Sequence, residues 1–121
     1  MSDPQPGPPL EREDFGGVTV LRVKVPMLRG DETTDALFEQ AYALVDDAGR
    51  SRIALNFDGV QFFASMAIGK LVKLLRKARS AGGRLAVCKL TRSLQSLLEV
   101  THLADIIPVY ADEQEAVGSF G

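Results

Sequence analysis

Two short runs of this sequence, Ile53-Ala54-Leu55-Asn56-Phe57 and Leu85-Ala86-Val87-Cys88, are apolar almost without a break. A strand with one wet face alternates apolar and polar residues, whereas a strand covered on both faces does not. Each run therefore reads as a central strand that needs helices packed against the sheet. The flanking segments supply them. Asp31 to Ala48 sets Leu37, Ala41, Leu44, Val45 and Ala48 at helical spacing. Asp31, Glu32 and Asp35 stand where the positive helix end favours acids, and Gly49 stands where a helix stops. Ser65 to Ala81 carries Ile68, Leu71, Val72, Leu75 and Ala78 on one face and ends at Gly82-Gly83. Ser93 to Val100 predicts a short helix turned inward on Leu94, Leu97 and Leu98, and Asp112 to Val117 opens a last one. Two more strands complete the alternation. Val18, Val20 and Val23 alternate with Thr19, Arg22 and Lys24, ending at Pro26, and Ile106 to Tyr110 carries a Pro108 that suits a sheet edge. Strand and helix thus alternate four times. This order predicts the α/β class, with a mostly parallel four- to five-stranded sheet and helical crossovers.

The 121 residues suffice for one domain, and 45% hydrophobic content suffices for its core. Residues 1–17 hold Pro4, Pro6, Pro8 and Pro9 with Gly7, Gly16 and Gly17, a composition that predicts a disordered tail and leaves 18–121 as the domain. One Cys and one His exclude a disulfide framework and a zinc cluster within the chain. No apolar run is long enough to span a bilayer, and the acidic, Pro-rich start is unlike a signal or transit peptide. The expectation is a cytoplasmic chain without membrane insertion. No nucleotide-binding glycine motif or nucleophile elbow is present. Asp46 and Asp47, adjacent on a helix, do not share a face. The reading is of a non-enzyme with no catalytic residue, no cofactor and no metal. Residues 59–98 carry eight basic and no acidic residues within a chain of net charge −2. Lys70, Lys73, Arg76, Lys77 and Arg79 read as a solvated helix face or as a surface for an acidic partner or phosphate. Nucleic acid is not expected, since no aromatics are interleaved for base stacking.

The segment between the second strand and the second helix concentrates the candidate interaction residues. Ser65 stands at the start of a helix, where it can cap the helix or present its hydroxyl to phosphorylation. Phe62, Phe63 and Met66 form an apolar cluster of which at least one should enter the core; any other is a candidate partner anchor. Gly69 lies inside a helix at a loss of about 1 kcal/mol relative to Ala. That implies close approach of a backbone, either a neighbouring strand's or a partner's. Asp58-Gly59 reads as a turn. Cys88 reads as a buried small hydrophobe, and His102 as a helix-end residue.

Taken in order, the segments from Ile53 to Val117 resemble the STAS domain, the sulfate-transporter and anti-sigma-factor-antagonist family. Asn56 to Phe63 resembles the family's apolar strand and the turn after it. Ala64-Ser65-Met66-Ala67-Ile68-Gly69 occupies the place of its D-S-[ST]-G-L-G signature. Ala81 to Cys88 resembles its G-G-x-L-x-V strand, Leu97 to Leu103 its L-L-x-x-x-G-L segment, and Ile107 followed by Tyr110 to Ala116 its closing strand and helix. The resemblance implies a single STAS-like domain that captures an anti-sigma factor, often a serine kinase, and is switched by phosphorylation of the signature serine, here Ser65. It implies a binding face at the Ser65 loop and the helix after it: Phe62, Phe63, Ala64, Met66, Gly69, Lys70 and Lys73. The sequence departs from the signature at Ala64, Met66 and Ala67, and Gly30 stands where an acidic residue is expected. These departures leave an alternative implication: a STAS module that is not phosphorylated and serves as a scaffold or subunit of a larger complex, with other STAS proteins as partners.

Overall fold

The computed structural model describes residues 8–121. In chain order the elements are β1 (Leu10–Phe15), β2 (Val18–Val23), β3 (Met27–Leu28), α1 (Glu32–Asp46), β4 (Arg52–Asn56), β5 (Phe62–Phe63), α2 (Ser65–Ser80), β6 (Arg84–Cys88), α3 (Arg92–Val100), a 3₁₀ turn (Leu103–Asp105), β7 (Val109–Tyr110) and α4 (Glu113–Gly118). Five strands form one sheet in the order β1-β2-β4-β6-β7. β2, β4, β6 and β7 are parallel, and β1 is antiparallel to β2. The α/β class and mostly parallel sheet expected from the sequence are thus present.

The two apolar runs are the sheet's middle. Ile53, Ala54, Leu55 and Leu85, Ala86, Val87, Cys88 are all buried. On one face the sheet packs against α1, α2 and α3 through large side chains, among them Leu37, Phe38, Leu71, Leu74, Leu94 and Leu98. The other face carries small ones, Val18, Val20, Ala54, Ala86 and Cys88, closed by Ala116 and Phe120 at the α4 end. Gly83 sets how β6 enters beside β4. A β-carbon there would come within 2.0 Å of the Ser51 carbonyl oxygen, the atom that accepts the Arg84 amide at 2.9 Å.

Several boundaries differ from the sequence reading. Residues 1–7 of the expected tail lie outside the described residues, but Leu10–Phe15 is a strand, in register from Leu10 opposite Val23 to Phe15 opposite Val18. Its charges are compatible with a strand because this is an edge. Only Leu10 is buried, while Arg12 pairs with Asp14 and Arg22 with Glu13. Gly16, at a positive φ of 60°, makes the tight turn that joins it to β2. β2 is covered on both sides, with Thr19 and Leu21 as buried as the valines. α3 begins one residue early because Thr91 Oγ1 caps it, accepting from the Leu94 amide at 3.2 Å. β7 is only two residues long, since the 3₁₀ turn and Pro108 precede it. It is indeed an edge strand.

Candidate interaction site

The loop after β4 is built by local hydrogen bonds. Asn56 Oδ1 accepts the Asp58 amide at 2.9 Å, and the Val60 amide donates to the Phe57 carbonyl at 2.9 Å. Asp58 is exposed on that turn, as a turn residue should be. Phe57 and Val60 are buried and anchor the loop's base. The chain then extends as β5, parallel to β3, with Met27 opposite Phe62 and Leu28 opposite Phe63. Successive strand residues point to opposite sides. Phe63 therefore enters the core, edge-on to Phe57 at a centroid distance of 5.1 Å, while Phe62 is 48% exposed. Leu28 is buried with Phe63, and Met27 is exposed with Phe62.

The Ala64 amide donates to the Leu28 carbonyl at 2.8 Å, which delivers the chain to α2. Ala64 occupies the N-cap position and makes no side-chain capping bond. Ser65 is consequently the first helical residue rather than the cap, and its side chain is exposed. The capping alternative for Ser65 is thereby corrected: the β/extended backbone that a cap needs falls one residue earlier. Met66 is 55% exposed, and its sulfur lies over Gly30, where an added β-carbon would come within 2.7 Å of Sδ. Asp31, beside Gly30, turns its carboxylate to cap α1, accepting the Thr34 amide at 3.0 Å. That bond holds its pKa below the ordinary aspartate range. A β-carbon at Gly69 would meet no atom within 4 Å, so no neighbouring strand approaches it. Ser65 and Gly69, four residues apart, share a helix face.

The lysines of α2 face α1. Lys70 Nζ lies 2.8 Å from Asp35 and Lys77 Nζ 2.7 Å from Asp46. Lys73 Nζ stands 4.7 Å from the Tyr42 ring centroid, and the Tyr42 hydroxyl donates to the Lys70 carbonyl at 2.9 Å. Burial, aided by Glu39 and Asp35, pushes the Tyr42 pKa up to about 12. Much of the basic run thus binds its own neighbouring helix. Cys88 is fully buried, and burial pushes its thiol up to about 12. His102 follows α3 in the left-handed region, with Nδ1 3.3 Å from Asp105.

Phe62, Ser65, Met66 and Gly69 are therefore exposed around one helix start, Phe63 is core, and Ala64 is the backbone hinge between β5 and α2. Sequence reasoning missed Met27, because a two-residue strand between Pro26 and Gly30 has no periodicity to detect. It also missed the tie between Arg22 and Glu113, in which Nε and Nη2 each donate at 2.8 Å and Asn56 adds a bond at 2.9 Å. No spacing signals a contact across that much chain.

Among the described residues no helix is long and apolar enough to cross a membrane. The STAS domain profile matches residues 10–116. The anti-sigma F factor antagonist of Paenibacillus polymyxa is 25% identical over 108 residues, spanning 89% of this chain and 91% of that protein. The structure of an anti-sigma-factor antagonist (STAS) domain protein from Planctomyces limnophilus aligns with a TM-score of 0.79 at 24% identity, covering 92% of this chain and 97% of the other. The phosphorylated form of the Bacillus cell fate determinant SpoIIAA aligns with a TM-score of 0.71 at 17% identity, covering 91% and 97%. With the profile matching nearly the whole described chain and the same fold in both structures, this chain belongs to the STAS domain family.

Proposed function

We propose that this protein is a regulatory binding module of the anti-sigma factor antagonist kind, and that it docks an anti-sigma factor on the face formed by Phe62, Ser65, Met66 and Gly69. The observation that carries the reading is the side-chain sorting at this loop. Phe63 and Leu28 go inward, leaving Phe62, Met66 and Met27 each at least 40% exposed around one helix start. Aromatic and methionine side chains in such a position are what interface centres favour. The bare backbone at Gly69 lets a partner element approach α2 closely. Lys70 and Lys73 extend the face along α2, pre-positioned by Asp35 and Tyr42. The relatives named as anti-sigma factor antagonists support the partner class.

Under this reading Ser65 is the phosphoacceptor. Its exposed side chain at the first helical residue supports this, as does a first turn without acidic residues. A phosphate there would gain from the helix dipole yet place a dianion on a face the partner must desolvate. A second reading, a constitutive STAS scaffold without phosphorylation, is favoured by the apolar surroundings. Met66 fills the space over Gly30, and the Asp31 carboxylate is engaged as a cap. A photocrosslinking amino acid at position 62, introduced in the protein's own host, tests the docking. A crosslink to an anti-sigma factor supports the proposal, a crosslink to another STAS chain supports the scaffold, and no crosslink overturns both. Mass spectrometry of the Ser65 peptide under growth and stress then separates switched from constitutive binding.

A further inference from the structure

Three methionines occur in the chain, and the two within the described residues, Met27 and Met66, both lie at the Ser65 loop. They are 40% and 55% exposed. Thioethers are polarizable and fit irregular partner surfaces, but oxidation makes them polar and spoils Met-rich interfaces. The remaining sulfur among the described residues, Cys88, is fully buried with a protonated thiol, which makes it a poor competitor for an oxidant.

We propose that Met66, assisted by Met27, is an oxidation-sensitive site that switches the docking face off. The inference rests on the reading that this face binds a partner. A peroxide-class oxidant delivers one oxygen atom to a lone pair of the Met66 sulfur. The sulfur loses two electrons, the peroxide O–O bond breaks, and water leaves, with no proton taken from the protein. The surroundings suit the product. Met66 is more than half exposed, so the new oxygen can point into solvent. Arg29 Nη2 already donates to Met27 Sδ at 2.8 Å, and a sulfoxide oxygen there is a stronger acceptor for the same guanidinium. Neither sulfur is part of the main core, so the fold survives the change. The docking face does not, because a partner would then cover an unpaired sulfoxide, a loss of about tenfold in affinity or more.

The test uses the full chain, hydrogen peroxide as oxidant, and the anti-sigma factor identified by crosslinking. Peptide mapping should find Met66 oxidised at a rate near that of free methionine while Cys88 stays reduced. A Met66 that resists peroxide in the folded protein overturns the inference without any partner. In titrations, the oxidised protein should bind about tenfold more weakly or worse, and methionine sulfoxide reductases should restore binding. Met66→Leu, of similar volume, is compared with itself before and after peroxide: whatever its starting affinity, oxidation should change it far less than it changes the parent's. Unchanged affinity after oxidation, or a Met66→Leu protein as sensitive as the parent, overturns the inference alone. Failure of the reduced protein to bind overturns the docking reading and this inference together.

Discussion

A β-carbon at Gly69 would meet nothing within 4 Å, although the residue lies in the second turn of a 16-residue helix. Glycine there lowers helix stability for no gain within the molecule. Gly69→Ala is expected to stabilise the free protein by about 0.5–1 kcal/mol in urea titration and to weaken partner binding in the same preparation. A variant more stable and equally good at binding would remove Gly69 from the interface. Gly83 is the opposite case, with its missing β-carbon position overlapping the Ser51 backbone. Gly83→Ala should destabilise by about 2–3 kcal/mol, measured as a lowered denaturation midpoint, because β4 and β6 must part to admit it. At this scale the sequence was only partly legible. Both glycines stand out as interruptions, yet what separates the tight one from the open one is a neighbour distant in sequence, the Ser51 backbone. Likewise, Phe62 and Phe63 look equivalent until β5 is known to pair with β3.

Among the elements, the central strands and long helices follow directly from apolar runs and helical periodicity, because burial dictates both. β1 was illegible for a physical reason: an edge strand held by its backbone ladder needs little apolar pattern, and its charges resemble those of a tail. The short α4 was expected, but not what fastens it. Glu113 accepts from Arg22 and Asn56, and the Arg22 bonds hold its pKa below the ordinary glutamate range. A depressed folded-state pKa stabilises above the unfolded value and loses that contribution as pH falls through the folded value. The attachment of α4 should therefore weaken in acid. Glu113→Gln should lose part of that stability near neutral pH and show a flatter pH dependence on the acid side, read from urea midpoints across the acid range.

For the whole molecule, the two faces of the sheet are unequal. Three helices and large aliphatic side chains cover one, while alanines, valines and the short α4 cover the other. Opening free energies differ across a structure according to such packing. Amide hydrogen exchange should find α4 opening well before α2, and equal protection of the two would contradict this layered picture. Leu74, fully buried on the inner face of α2, belongs to the thicker layer, and Leu74→Ala should remove about 2–5 kcal/mol from global stability in chemical denaturation.

The pairing of Met27 with Phe62 joins chain segments far apart in sequence. The exposed patch therefore exists only once the domain has closed, and an unfolded or half-made copy cannot present it. Capture of a partner is in this sense a proofreading step that counts completed molecules alone. By mass action, a partner at a hundred times its dissociation constant would return about 2.7 kcal/mol to the fold that displays the patch. Occupancy can thus be read as a rise in melting temperature, without any label on either protein.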